Sequence, residues 1–383
     1  MRIGRTTWSL ICLAVLGTIL SLGLWPFQVP PNEVTWLKDR PGLEFGRFSS
    51  VIGSDTIKAR DSLDLGGSIE FWLQPGRIWD SNTILGFSSQ GNPLRLLVRQ
   101  DQTSLEVLTG NQDRGRAGNA RLHVNKAFRK ARPAFVTLTS GEMGTSVYVD
   151  GVPIKTTQQF RLSTEHLTGR LVVGDAPGQS DSWRGRLFGL AIYHRRLEAQ
   201  EVVRHYVTWT EEGRPRIAKD ERNVALYLFQ ERAGNIVHNV ARPALDLQIP
   251  DRYTVVDKIF LEAFWEEFSL SQSYLSSALK NIVGFVPLGF CFYAYFAALR
   301  VKRAALGTVI LGTAVSVTIE VLQAYLPTRD SGTTDIFTNT LGTWVGVAVF
   351  NLVVPRLPGT LRVVFALSSR QSDRPTPVHC EHD

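Results

Sequence analysis

The apolar residues of this 383-residue chain fall into two unlike patterns. Four stretches are almost continuously apolar: Thr7 to Phe27, Asn281 to Leu299, Ala304 to Leu326 and Ile336 to Val354. Each is about 20 residues long, the length at which a helix crosses a ~30 Å hydrocarbon core. Between the first and second, from Gly42 to Pro250, short alternating segments are broken by Gly, Asp, Asn and Ser. Period-two alternation with frequent turn residues predicts many short strands, and so a sandwich or jelly roll. Ser68–Leu73, Pro93–Val98, Ala134–Leu138, Leu171–Gly174 and Leu187–Tyr193 are such strands. Val147 to Ile154 reads as a hairpin with Asp150-Gly151 at its turn. One short helix is expected at Glu198 to Tyr206. The fold class that follows is multidomain: an all-α transmembrane bundle of four helices plus an all-β jelly-roll sandwich.

The pattern changes set the boundaries. Residues 1–29 hold the first transmembrane helix behind a short cytoplasmic N-terminus. Residues 30–250 form the jelly roll, 251–280 a juxtamembrane segment, 281–354 helices two to four, and 355–383 a cytoplasmic tail. Trp8 and Trp25 flank the first run as interfacial anchors, and no small-x-small cleavage site follows it, so it reads as a retained helix.

Charge orients this arrangement. Arg2 and Arg5 precede the first helix, Arg300-Val301-Lys302-Arg303 joins the second to the third, and Arg356, Arg362, Arg370 and Arg374 follow the fourth. The positive-inside rule places all three clusters, and both termini, on the cytoplasmic side. The whole middle region is then extracytoplasmic.

Composition alone points elsewhere. A mean hydropathy of −0.03, with 20 % charged residues, matches an ordinary soluble chain; it is an average over two unlike parts. The net charge of +7 is read here as topology. No basic stripe or nucleic-acid motif accompanies it, so the implied partner is the lipid bilayer and not a nucleic acid. Of three cysteines, Cys12 and Cys291 lie in apolar runs and Cys380 in the tail. The middle region has none and must fold without disulfides.

Polar groups inside a bilayer are costly and each needs an account. In the third helix Thr313, Ser316, Glu320 and Gln323 follow spacings of 3, 4 and 3, one stripe of one face. Across the outer turn come Arg329, Asp330 and Asp335, then Asn339 on the same face as Asp335; Gly342 and Gly346 continue it as a small-residue contact surface. Asn281 lies at the outer end of the second helix, with Gly284, Pro287 and Gly289 below it. Pro287, Gly289, Gly342 and Gly346 are assigned to helix packing. Topology brings Asn281, Glu320, Gln323, Arg329, Asp335 and Asn339 to one level, a candidate headgroup pocket. Plainer roles stand beside this one: Glu320 and Gln323 as interhelical glue, Asp335 as the N-cap of the fourth helix, Arg329 as a snorkelling residue paired with Asp330.

Two resemblances follow from these residues. Ser68–Trp72, Val147–Gly151, Gly174-Asp175 with Trp183-Arg184-Gly185, and Ala191–Tyr193 leading to Leu197–Glu201 resemble a concanavalin A-like, laminin-G-type jelly roll. Leu226–Phe229 with Gly234-Asn235 is similar to the terminal strand such domains add. The resemblance implies binding of glycans or proteins, sometimes with calcium. No calcium or other metal site is assigned: Asp150 reads as a turn residue, and Trp72 and Trp183 as packing. The second resemblance is to VanZ-like membrane proteins, carried by Asn281–Phe290, by Glu320–Tyr325 with Pro327 and Arg329, and by Asp335–Gly342. Leu24–Phe27 is similar to the end of that family's first helix. The jelly roll is then an insertion between helices one and two. The family's association is with low-level teicoplanin resistance.

No P-loop, GxSxG, HExxH or CxxC occurs, and all seven histidines lie outside the apolar runs. No cofactor is implied and no catalytic residue is assigned. The expectation is a multi-pass protein of a bacterial cytoplasmic membrane. Its jelly roll engages an extracytoplasmic glycan or envelope protein, and its helices hold a lipid or lipid-linked glycan headgroup. Two alternatives remain open: an enzyme on envelope glycolipid with Glu320 or Asp335 as acid or base, and a non-catalytic scaffold that anchors a recognition domain.

Overall fold

The computed structural model describes residues 5–58, 66–89, 92–110, 120–212, 223–267 and 272–356. Arg2, Arg362, Arg370, Arg374, Cys380 and nearly all of the expected tail lie outside the described residues. Two compact units emerge. One is built from Met1–Trp25, Leu261–Gln323 and Ser331–Asp383, the other from Pro26–Phe260 and Ala324–Asp330.

The second unit is a sandwich of two eight-stranded sheets. The first runs β1 (Val34–Trp36), β2 (Leu43–Phe45), β13 (Gly185–Tyr193), β4 (Gly67–Pro75), β9 (Ala134–Gly141), β10 (Gly144–Val149), β11 (Val152–Thr157), with β14 (Asn223–Tyr227) also paired to β13. The second runs β15 (Ile236–Val237), β16 (Leu247–Gln248), β3 (Val51–Ile57), β12 (Gly169–Val173), β5 (Ser81–Ser89), β6 (Asn92–Asp101), β7 (Ser104–Thr109), β8 (Ala120–Val124). Neighbouring strands pair antiparallel throughout both sheets. Phe71, Leu73, Phe87, Val98, Leu171 and Leu190 meet in the core between them.

The expected hairpin is present. Val149 pairs with Val152, and Asp150 and Gly151 carry φ of 53° and 75°. Two positive φ values in a two-residue loop match the right-handed twist of the flanking strands. The Asp150 carboxylate accepts the Phe135 N–H at 2.9 Å, which makes it a turn-fixing group.

The first sheet is buried on its outer face as well, by α2 (Ala199–Thr210). Val202 and Trp209 of this helix pack on Phe135, Ala191 and Tyr193. The helix continues four residues past the expected end, because Thr208 and Trp209 keep its apolar stripe on the sheet. Under it lies a wholly buried polar group. Glu70 accepts hydrogen bonds from Thr137 Oγ1 at 3.1 Å and Tyr193 OH at 2.9 Å, and its Oε2 is 2.8 Å from His205 Nδ1. A carboxylate with no solvent access needs this many partners.

The other unit contains α1 (Arg5–Leu24), the short α3 (Phe264–Glu267), α4 (Gln272–Ala298), α5 (Ala304–Gln323) and α6 (Thr333–Val353). Four of these helices are long and apolar enough to cross a membrane. α4 begins nine residues before the apolar run does. Its first turns are amphipathic, with Leu275 and Leu279 among Ser276, Ser277 and Lys280, so a search for continuous apolarity passes over them. α4 and α6 approach closely because their contact positions lack side chains. A Cβ added at Gly342 would overlap the Ile282 carbonyl, at Gly346 the Val286 carbonyl, and at Gly289 the Thr343 carbonyl. Small residues at such positions let backbones meet where apolar burial supplies no driving force. Pro287 lies within α4 on an exposed face.

Candidate functional site

The polar stripe of α5 is a ladder of partners. Thr313 Oγ1 meets Thr340 Oγ1 at 3.1 Å, and Ser316 Oγ accepts from Asn339 Nδ2 at 2.9 Å. Glu320 Oε2 accepts the Gly332 N–H at 3.0 Å, and Gln323 Nε2 donates to the Gly23 carbonyl at the end of α1 at 2.7 Å. The stripe therefore meets α6 at Thr340 and Asn339, then at its start at Gly332, and finally reaches α1. Asn339 Oδ1 is buried and has no hydrogen-bond partner among the described residues.

Glu320 is 1 % exposed. Its carboxylate sits at the amino end of α6, where unsatisfied N–H groups and the helix dipole favour negative charge. The same end is fastened by the backbone. Ser331 Oγ donates to the Glu320 carbonyl at 2.9 Å, and the Thr333 N–H donates to the Glu262 carbonyl at 2.8 Å. Gly332 is the N-cap of α6. Asp335 is therefore not the cap: it stands three residues further on, because the helix starts earlier than its apolar run. Its Oδ1 accepts from Asn281 Nδ2 at 2.7 Å, linking α6 to α4. Asn281 lies in the third turn of α4 and not at its end.

Arg329 falls in the 324–330 segment, which belongs with the sandwich unit. Its N–H donates to the Leu326 carbonyl at 3.2 Å. In the same segment Asp330 Oδ1 accepts the Ser180 N–H at 3.1 Å, and Lys258 Nζ donates to the Leu326 carbonyl. The helical unit thus holds Asn281, Glu320, Gln323, Asp335 and Asn339, and Arg329 is described apart from them.

In the sandwich, Trp183 is a core residue, and its Nε1 donates to Gln100 Oε1 at 2.7 Å. Trp72 is half-buried and tilted against Phe188. Asp175 is fully buried. Its Oδ1 accepts the Ala176 and Asp181 N–H groups at 2.9 and 2.8 Å, and its Oδ2 accepts from Tyr253 OH at 2.7 Å. Burial outweighs those bonds and pushes its carboxyl up to about 8. Among the described residues no group of three or more His, Cys, Asp or Glu is arranged to hold a metal ion.

Sequence reasoning did not single out Glu70, His205 or Trp209. The signal for the last two was the helical spacing of Val202, His205 and Trp209, which puts them on one face of α2. Glu70 shares the outward side of β4 with Ser68 and Trp72, and only the cover of α2 makes that side interior.

Four apolar helices together with a two-sheet sandwich define a membrane protein that carries a lectin-like domain. Residues 219–354 match the VanZ/LLP1 family, and residues 53–203 match Laminin_G_3, the concanavalin A-like lectin/glucanases superfamily. The chain is thus similar to VanZ-like proteins over its C-terminal part and to concanavalin A-like domains over its middle. No curated protein sequence matches it significantly. Solved structures resemble it weakly. A Bacteroides ovatus protein proposed to bind carbohydrate is 13 % identical, with a TM-score of 0.37 over 55 % of this chain. The chain spans 62 % of the length of that protein. A SAP-like pentraxin from Limulus polyphemus is 11 % identical, with a TM-score of 0.35 over 60 % of this chain and 96 % of its own. The carbohydrate-binding module CBM40 of a Ruminococcus gnavus sialidase, bound to sialyllactose, is 14 % identical, with a TM-score of 0.33 over 43 % of this chain and 95 % of its own. Scores at this level carry no assignment of ligand or activity.

Proposed function

We propose that the chain is a multi-pass protein of a bacterial cytoplasmic membrane that couples two recognition parts. The sandwich faces the extracytoplasmic side and engages a glycan or an envelope protein. The helical unit holds a lipid or lipid-linked glycan headgroup at the level of Asn281, Glu320, Gln323, Asp335 and Asn339.

One observation carries this reading: a carboxylate, Glu320, kept 1 % exposed inside an apolar membrane-spanning helix. Ionisable groups inside membrane helices are rare and mark functional positions by default. Packing alone would be served by the glycines of α4 and α6. The set is thin for catalysis, since Glu320 and Asp335 already accept hydrogen bonds and the described histidines all lie outside the membrane-spanning helices. Non-catalytic binding is therefore favoured over glycolipid chemistry.

The test is lipid analysis of the full-length protein purified in mild detergent, wild type beside Glu320→Gln. The glutamine side-chain oxygen can still accept the Gly332 N–H, while the charge is lost. A lipid or lipid-linked saccharide enriched over the bulk membrane, and reduced several-fold in Glu320→Gln at equal abundance, is the expected result. The same lipid profile in both proteins would overturn the pocket.

A further inference from the structure

The sandwich contains a cavity of about 310 Å³ beside the C-terminal end of α2. Its wall includes Arg40, Trp72, Phe188, Trp209, Glu211 and Gln230. This volume is at the lower end of small-ligand sites, and the mix of aromatic surface with a few polar groups is typical of them.

The geometry is organised. The Arg40 guanidinium lies over Phe188 at 4.9 Å and over Trp72 at 5.8 Å from their ring centroids, and those two rings pack at 5.0 Å. Cation–π contact holds the cation in place without neutralising it. No carboxylate lies within ion-pairing distance of Arg40 among the described residues. Trp209 is 2 % exposed, and its indole Nε1 is buried without a hydrogen-bond partner among the described residues. Tryptophan N–H groups at buried positions ordinarily have one. The indole is seated by Gly189, where any Cβ would overlap its six-membered ring.

We infer that this cavity is a saccharide subsite, with Arg40, Glu211 and Gln230 sharing the hydroxyl groups of one or two sugar rings and Trp209 forming part of its apolar wall. Its wall offers both kinds of hydrogen-bonding group. Arg40 only donates, Glu211 only accepts, and the Gln230 amide does both. A simple anion would face Glu211, and a simple cation would face Arg40. A hydroxylated ring satisfies both kinds of group, because each hydroxyl donates and accepts. Its apolar C–H faces suit the Trp72 and Phe188 surface. The inference rests on reading the sandwich as a glycan-recognition module and assigns where on it the glycan sits.

The test uses the full-length protein in detergent micelles. Intrinsic tryptophan fluorescence is titrated with glucose, galactose, mannose, N-acetylglucosamine and their β-linked disaccharides, for wild type, Arg40→Ala and Gln230→Ala. Both side chains are exposed, so the variants are expected to melt as wild type does, and circular dichroism checks this. Saturable binding by at least one saccharide, weakened about tenfold or more in Arg40→Ala and less in Gln230→Ala, supports the subsite. Undiminished binding in both variants overturns the cavity while leaving the sandwich a glycan binder. Absence of saturable binding across the panel overturns the subsite and the glycan reading together.

Discussion

Glu320 in α5 and Gly332 at the start of α6 are joined by a 3.0 Å hydrogen bond from the Gly332 N–H to the carboxylate. The contact does for α6 what a Ser or Asp at the N-cap does in other helices. The N-cap position itself is a glycine and supplies no side-chain oxygen. The acceptor comes instead from a neighbouring helix, twelve residues away in sequence.

Removing the acceptor leaves a buried N–H unpaired, which costs about 1–3 kcal/mol. Glu320→Ala is therefore expected to lower the melting temperature of the detergent-solubilised protein, and Glu320→Gln to retain most of it. Equal melting of Glu320→Ala and wild type would remove the capping role.

The α4–α6 contact makes a sharper prediction, since it contains its own control. Gly346→Ala places a methyl group against the Val286 carbonyl, and the helices must separate. Overpacking of this kind costs about 1–3 kcal/mol. Gly284, five residues before Gly289 on α4, has nothing within 4 Å of an added Cβ, so Gly284→Ala should be neutral or slightly stabilising. Melting temperatures of the two variants check the pair. Comparable losses in both would mean that helix propensity, and not the close approach, governs these positions.

Much of this was legible beforehand. Four apolar runs gave four helices, and Asp150-Gly151 gave its hairpin because only residues tolerant of positive φ suit that turn. The α5 stripe was also readable, because a spacing of 3 and 4 fixes a common face regardless of what lies opposite. Its partners were not readable. Asp335 reads as a cap when the helix is taken to start at Ile336, yet α6 begins at Thr333 with polar residues that hydropathy ignores. The cavity was hidden for a different reason. It joins Arg40, Trp72, Phe188, Trp209 and Gln230, which are distant in sequence and come together only through strand pairing and the docking of α2.

Asp175 makes sandwich stability depend on pH. Its carboxyl is pushed from 3.8 in the unfolded chain up to about 8 in the fold, chiefly by burial. The folded state thus holds a proton that the unfolded state releases. The contribution is fully present below 3.8 and is lost as pH rises towards about 8. Asp175→Asn mimics the protonated form, because its oxygen can still accept from Ala176 and Asp181 and its NH₂ can donate to Tyr253. Thermal melts between pH 4 and 9 should show the wild-type midpoint falling across this window and a flatter profile for Asp175→Asn. Parallel profiles would contradict the assignment.

Everything proposed for the chain depends on the sandwich lying on the extracytoplasmic side of a membrane that its helices span. Site-specific labelling tests this directly. With Cys12, Cys291 and Cys380 replaced by serine, Met143→Cys, at a position 67 % exposed on the sandwich, and Lys302→Cys, in the basic turn between α4 and α5, are treated separately with a membrane-impermeant maleimide. The account predicts that Met143→Cys reacts in intact spheroplasts, and that Lys302→Cys reacts only in inverted vesicles or after lysis. Labelling of Lys302→Cys in spheroplasts with protection of Met143→Cys would contradict it.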